Sequence, residues 1–281
     1  MKQIAFLGYD FFYSCFEALL QNNYEIKWLF TFECDNKVNF NTKIISKANE
    51  IGAEVFHTRI SKSDIENLKK DGCDLIISAA YPYKIPVIPD SPFMVNIHPT
   101  LLPVGKGPWP MPVVILKGLS ESGVTIHKVS KEFDAGDILI KKAFPISSNE
   151  NLETLSCKSQ IVAKEILINL LTDFDNMWKN ATPQGIGEYW AMPTFDERTL
   201  NWNLPVIEID RIARAFGKFD SLATFNSKDW VVQDLTVWHE KHNFTPGTLV
   251  HLTNREALVA GLDGYVCIRF FSIDPDFKEL N

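Results

Sequence analysis

The chain is poor in several features that would have assigned it quickly. Its five cysteines, Cys15, Cys34, Cys73, Cys157 and Cys267, are odd in number and nowhere form a Cys-x-x-Cys pair. Scattered through apolar runs, they read as reduced core thiols and not as a disulfide framework. No apolar stretch approaches the ~18 residues of a membrane-spanning helix. Met1-Lys2-Gln3 runs directly into a strand-like segment, so no leader is expected and the expected location is cytoplasmic. Positive charge is scarce as well: 28 Lys and Arg stand against 35 Asp and Glu, for a net charge of −7. From residue 195 onward the count is nine basic against thirteen acidic, the wrong sign for a surface that neutralises a phosphate backbone. Glycine is missing where a dinucleotide site would need it. Gly8-Tyr9-Asp10-Phe11-Phe12-Tyr13 has one glycine at a strand-to-helix turn, where the phosphate-cradling pattern wants three, and this argues against NAD. His57, His239, His242 and His251 show no ligand spacing to cysteines or carboxylates, and no metal is implied.

What is present describes a globular α/β chain. At 281 residues, 46% hydrophobic and 22% charged, it exceeds the size at which one core is the default, so two domains are expected. Residues 4–8 read as a buried strand, 11–20 as a helix and 24–31 as a second strand. Helix-like stretches at 42–51 and 62–70 flank the short strand 54–56, and Asp74 to Ala80 is a strong buried strand. Such alternation predicts a Rossmann-like doubly wound parallel sheet. Residues 113–116 form helix up to Gly118, 124–129 and 138–143 an antiparallel pair, and 151–175 one long amphipathic helix. Past Pro183 the texture becomes irregular. The boundaries read as a catalytic domain at 1–182, a linker at 183–205 and a carboxyl-terminal domain at 206–281. In the last, a short helix at 209–216 precedes strands at 222–225, 230–237, 247–251, 256–260 and 264–271, suiting a small OB-like β-barrel. Its apolar strands would suit a two-fold interface in a homodimer.

One motif carries chemistry. In Val95-Asn96-Ile97-His98-Pro99-Thr100-Leu101-Leu102-Pro103, an apolar run leads into Asn96 and His98 at a strand's carboxyl end, where open α/β sheets place ligands. Alternate strand residues share a face, and Pro99 and Pro103 stiffen the exit. Further on, Phe133-Asp134-Ala135-Gly136-Asp137 puts a carboxylate on the bend between two strands. An amide, an imidazole and a carboxylate are the set needed to move an acyl group onto an amine. The amide supplies an oxyanion donor worth about a hundredfold in rate. The imidazole titrates near neutrality and shuttles a proton. The carboxylate orients the imidazole or takes the amine proton itself. His127, on a strand with alternating neighbours, reads as packing or a hydrogen bond.

Asn-x-His-Pro-x-Leu-Leu-Pro, together with Ser122-Gly123-Val124-Thr125-Ile126-His127 and Asp134-x-Gly-Asp-Ile, resembles the folate-dependent formyltransferase family over most of the chain. The resemblance implies catalytic roles for Asn96, His98 and Asp134 and 10-formyltetrahydrofolate as co-substrate. It places the pterin ring between the loop containing Tyr81, Pro82, Tyr83 and Ile85 and the Asp134–Asp137 bend, with Leu102, Gly136 and Asp137 beside it. Asp137 is otherwise an ordinary loop carboxylate. Tyr9, Phe11, Lys106 and Trp109 are nominated for the acceptor, because the first loop and the loop after His98 should converge there; Trp109 between prolines is alternatively a buried hinge. The segment 101–109 lacks the long basic insertion that tRNA-acting members resemble one another in having, with Lys106 its only charge. The expected acceptor is therefore the amine of a nucleotide-linked amino sugar. Methionyl-tRNA is the runner-up, and a non-catalytic folate- or nucleotide-binding protein the alternative of another class.

Overall fold

The structure is a computed structural model and describes residues 3–35, 39–225 and 227–272. A seven-stranded sheet is built from β1 (Gln3–Gly8), β2 (Glu25–Phe30), β3 (Glu54–Phe56), β4 (Leu75–Ala79), β5 (Phe93–His98), β7 (Glu121–Lys128) and β8 (Ile138–Pro145), with β6 (Val104–Lys106) lying outside it. Its order is β3-β2-β1-β4-β5-β7-β8. The first five neighbours run parallel, as the alternation of elements predicts, and β7 then joins β5 antiparallel. β4 is buried at every position, which is why it reads as a continuous apolar run and not as an alternating one. Ala5, Leu7, Phe30, Ile76 and Met94 pack one face of the sheet together with Ile65 and Leu68.

Helices α1 (Tyr13–Gln21), α2 (Thr42–Glu50) and α3 (Lys62–Lys70) connect the parallel strands. α3 starts where its sequence says it should. Ser61 Oγ accepts the Asp64 N–H at 3.2 Å and the Asp64 carboxylate accepts the Ser61 N–H at 2.7 Å, a reciprocal capping box. The helix predicted from residue 11 opens instead with a 3-10 turn at Asp10–Phe12. The one expected at 113–116 starts earlier, as α4 (Pro110–Leu116), since proline's fixed φ suits a first helical turn. The single helix expected at 151–175 is two, α5 (Leu152–Thr172) and α6 (Phe174–Lys179), broken at Asp173, whose φ is −131°.

The described residues group into two compact units. One comprises Met1–Pro110, Glu121–Pro145 and Ser156–Ala191; the other comprises Met111–Ser120, Ile146–Leu155 and Met192–Asn281. Within the stretch 183–205 lie β9 (Glu188–Tyr189), paired with β6, and α7 (Phe195–Arg198). The second unit holds α8 (Val206–Asp220) and an antiparallel sheet of β10 (Leu222–Phe225), β11 (Lys228–His239), β12 (Leu249–Leu252), β13 (Ala257–Ala260) and β14 (Gly264–Ser272), in the order β10-β11-β14-β13-β12. Register shifts around Asp234 bend β11. Val206, Ile209, Phe225, Val259, Val266 and Ile268 form the core of this unit, and the Asp263 carboxylate accepts the Val206 N–H at 2.8 Å at the start of α8. Among the described residues no helix is long and apolar enough to cross a membrane.

Candidate active site

Asn96 and His98 occupy the last turn of pleat in β5 and share a face, as alternation requires. The antiparallel register pairs Asn96 with His127 on β7, and the parallel register pairs Asn96 with Ser78 on β4. Asp134 lies on the bend between β7 and β8 with φ +51°, a left-handed conformation that aspartate tolerates better than most side chains. These elements bring three distant residues together. Asn96 Nδ2 stands 3.4 Å from Asp134 Oδ1, and His98 Nδ1 stands 3.4 Å from the same oxygen.

Hydrogen bonds to main-chain carbonyls decide the protonation pattern, because a carbonyl only accepts. His98 Nε2 lies 2.8 Å from the Gly105 carbonyl and must carry the hydrogen. In the neutral ring, Nδ1 is then a bare lone pair facing Asp134. His127 Nδ1 donates to the Lys128 carbonyl at 2.8 Å, so its Nε2 accepts the Asn96 amide at 3.1 Å. The ring of His98 is therefore oriented by a main-chain carbonyl, and Asp134 faces its other nitrogen. Of the two roles expected of Asp134, orienting the imidazole and taking the amine proton, the first is shared with the Gly105 carbonyl. Burial pushes the His98 pKa below its ordinary value, against the pull of Asp134 and the Gly105 carbonyl and with a smaller push from His127. Burial alone would raise the Asp134 carboxyl, but the His127 and His98 rings and the Gly107 N–H outweigh it and hold it below the usual range. At neutral pH this pairs a neutral imidazole with a carboxylate.

The Gly107 N–H donates to Asp134 Oδ2 at 3.0 Å. Gly107 has φ +131°, and a Cβ there would sit 2.0 Å from the Trp190 carbonyl oxygen. Gly107→Ala is expected to lower stability by about 2–3 kcal/mol, read as the denaturant midpoint, and to reduce turnover by displacing that N–H. An unchanged midpoint would show that the loop relaxes around the methyl group.

A cavity opens beside Asn96 and Asp134, lined also by Ser78, Tyr81, Tyr83, Ile85, His127, Val129 and Phe133; His98 is buried and is not in the lining. Three of the nominated folate contacts, Tyr81, Tyr83 and Ile85, line it. Pro82 is exposed and outside the lining. Leu102 is wholly buried with its N–H on Thr125 Oγ1, and Gly136 and Asp137 are also outside the lining, Asp137 Oδ2 lying 3.3 Å from Lys128 Nζ. None of Tyr9, Phe11, Lys106 and Trp109 lines the cavity. Tyr9 packs on Phe11 and edge-on to Phe32, which in turn meets Tyr83 at 6.3 Å, so a run of rings leads from the first loop to the cavity's edge. Lys106 is on β6, and Trp109, half-buried, directly precedes α4. Sequence reasoning passed over His127 as a partner of Asn96; the signal available was its place in the alternation of β7.

A strand-end amide, an imidazole and a carboxylate beside a cavity at the carboxyl edge of a doubly wound sheet define an enzyme centre of the group-transfer class. A sequence model of the formyl transferase family matches residues 4–171, and one of the formyl transferase C-terminal domain matches residues 194–274. The chain belongs to the formyl transferase family. It is similar to a methionyl-tRNA formyltransferase of Streptococcus pneumoniae, 28% identical over 96% of this chain and 90% of the relative. Among solved structures it resembles an N-formyltransferase from Helicobacter canadensis in complex with folinic acid and dTDP-3-aminofucose, at 19% identity, TM-score 0.72 and coverage of 97% of this chain and 100% of that one. HypX from Aquifex aeolicus in complex with tetrahydrofolic acid matches at 19% identity and TM-score 0.72, over 95% of this chain but 43% of that longer chain.

Proposed function

We propose that the protein transfers the formyl group of 10-formyltetrahydrofolate to the primary amine of a nucleotide-linked amino sugar. The observation that carries formyl transfer is the meeting of Asn96, His98 and Asp134 around one carboxylate oxygen, beside a cavity whose walls include Ile85, Val129 and Phe133 as well as polar groups. A pterin fits those walls: Ile85 and Val129 are suited to its faces, and polar groups of the 81–85 loop and the Asp134 bend to its edge. The bound donor supplies an electrophilic formyl carbon. When the amine nitrogen attacks that carbon, negative charge grows on the formyl oxygen and the nitrogen carries an excess proton. Asn96 donates an N–H to the oxygen. Of its two N–H contacts, the one to Asp134 is the longer, at 3.4 Å against 3.1 Å to His127, and is the one released. His98 Nδ1 accepts the proton, with Asp134 stabilising the imidazolium, and returns it to the folate nitrogen as the carbon–nitrogen bond breaks.

For the acceptor, the acidic carboxyl-terminal third and the single charge in 101–109 favour a small molecule over a polyanion. The full-length similarity to a methionyl-tRNA formyltransferase favours the second reading, that tRNA itself is the acceptor. The protein is read as acting in the cytoplasm and as needing no metal. Its carboxyl-terminal sheet is read as OB-like, and the domain boundaries as 1–182 and 206–281. Supplied with 10-formyltetrahydrofolate, the protein is expected to formylate at least one member of a panel that includes dTDP-3-aminofucose and other nucleotide-linked amino sugars. Turnover of charged initiator tRNA with none on the panel would establish the second reading. Formate release without any acceptor would mark a hydrolase.

A further inference from the structure

The stretch 182–190, read from sequence as the end of the catalytic domain at 182 and the start of a linker from 183, is stitched to both loops that build the site. Thr182 and Ile138 exchange N–H···O bonds at 2.8 Å each, fixing the stretch beside β8. The Glu188 N–H donates to the Pro103 carbonyl at 3.1 Å, and the Trp190 N–H to the Lys106 carbonyl at 2.7 Å. The Trp190 ring lies against Gly105, where a Cβ would come within 2.7 Å of it. The loop so held contains the Gly105 carbonyl that orients His98 and the Gly107 N–H that holds Asp134. Between these anchors, Gln184 Nε2 donates both hydrogens into the other loop, to the Asp134 carbonyl at 3.0 Å and to the Gly136 carbonyl at 2.7 Å. Asp134 is at positive φ, a backbone state that persists only where its surroundings over-determine it.

We infer that Gln184 is a positioning residue: its carboxamide clamps the Asp134 bend and so sets the distance from the Asp134 carboxylate to His98 and Asn96. The role is fitted to a long primary amide. Two donors on one nitrogen, reaching two carbonyls two residues apart, are supplied by glutamine and not by a carboxylate or a thioether. The inference rests on the formyl-transfer reading for its consequence in turnover, and on geometry alone for its consequence at His98.

The test is Gln184→Met, which keeps length and volume and removes both donors. Without the clamp the carboxylate that supports the imidazolium is less well placed. The His98 titration, followed by NMR of selectively labelled histidine, is expected to move to lower pH by roughly half a unit. Turnover should fall about tenfold, with the KM for 10-formyltetrahydrofolate within about twofold of the parent enzyme's. A His98 midpoint that coincides with the parent's overturns the proposal, as does a loss confined to KM. Should Gln184→Met not fold, the unaltered protein decides: the Gln184 side-chain amide protons are expected to exchange slowly with solvent, and exchange as fast as in an exposed glutamine overturns the clamp. An unaltered protein that transfers no formyl group would end the functional reading, while the His98 titration would still judge the clamp.

Discussion

His98→Ala is expected to reduce turnover about 10³-fold, within the range typical of a lost general acid–base group. In the proposed mechanism the bare Nδ1 beside Asp134 takes the amine proton. His127 presents its own lone pair to Asn96 and lies 3.7 Å from Asp134. Truncation also removes the 2.8 Å bond to the Gly105 carbonyl, which keeps Thr100 Oγ1 as a donor at 3.2 Å; melting must be recorded so that unfolding is not read as lost chemistry. The pH profile carries the sharper statement. If the neutral imidazole is the reactive form, as proposed, kcat is expected to fall as pH drops and His98 protonates. Because burial lowers this group's pKa, the fall comes below the ordinary imidazole value of 6.5. An acid limb centred above that value would show that His98 is not the titrating base.

Much of this arrangement could be read without coordinates, for identifiable reasons. β1 and β4 are apolar on both faces, and that is legible in any window of five residues. Asn96 and His98 are two apart on a strand that ends at a proline, so their shared face follows from the pleat. The capping box at Ser61 fixed the start of α3 locally. Other features have no residue-type signature. The orienter of His98 is a main-chain carbonyl, identical in every amino acid, and its placement depends on a glycine loop held by Trp190. His127 reads as packing or a hydrogen bond, and its hydrogen bond to Asn96 arises from the antiparallel docking of β7 on β5, which sequence alone does not specify. Gln184 reaches Asp134 across fifty positions from a stretch whose glycines and prolines look like connection. Of the residues nominated for folate, whether Ile85 lines the cavity and Leu102 does not depends on side-chain burial that no motif reports.

Asp134→Asn isolates charge from shape and is expected to lower kcat by about 10³- to 10⁴-fold, as when an aspartate beside a catalytic histidine is replaced by its amide. The variant should fold: asparagine adopts positive φ at least as readily as aspartate, and its carboxamide oxygen can still accept the Gly107 N–H that now lies 3.0 Å from Oδ2. Two things are lost. The amide nitrogen turned toward His98 donates to Nδ1 and occupies the lone pair that would receive the amine proton. The negative charge that stabilises the imidazolium also disappears. The second loss makes a directional prediction. The Asp134 charge is the leading influence raising the His98 pKa against burial, so its removal must carry the acid limb of the kcat profile to still lower pH while the plateau collapses. The shift follows from the charge and not from the hold on the bend, which the amide replacement keeps, so it reports whether the limb belongs to His98. Measuring kcat from pH 4 to pH 9 in both proteins checks both effects: a limb that stays fixed, or rises, in Asp134→Asn would show that His98 is not the titrating group, and a plateau close to the parent's would remove Asp134 from the proton pathway.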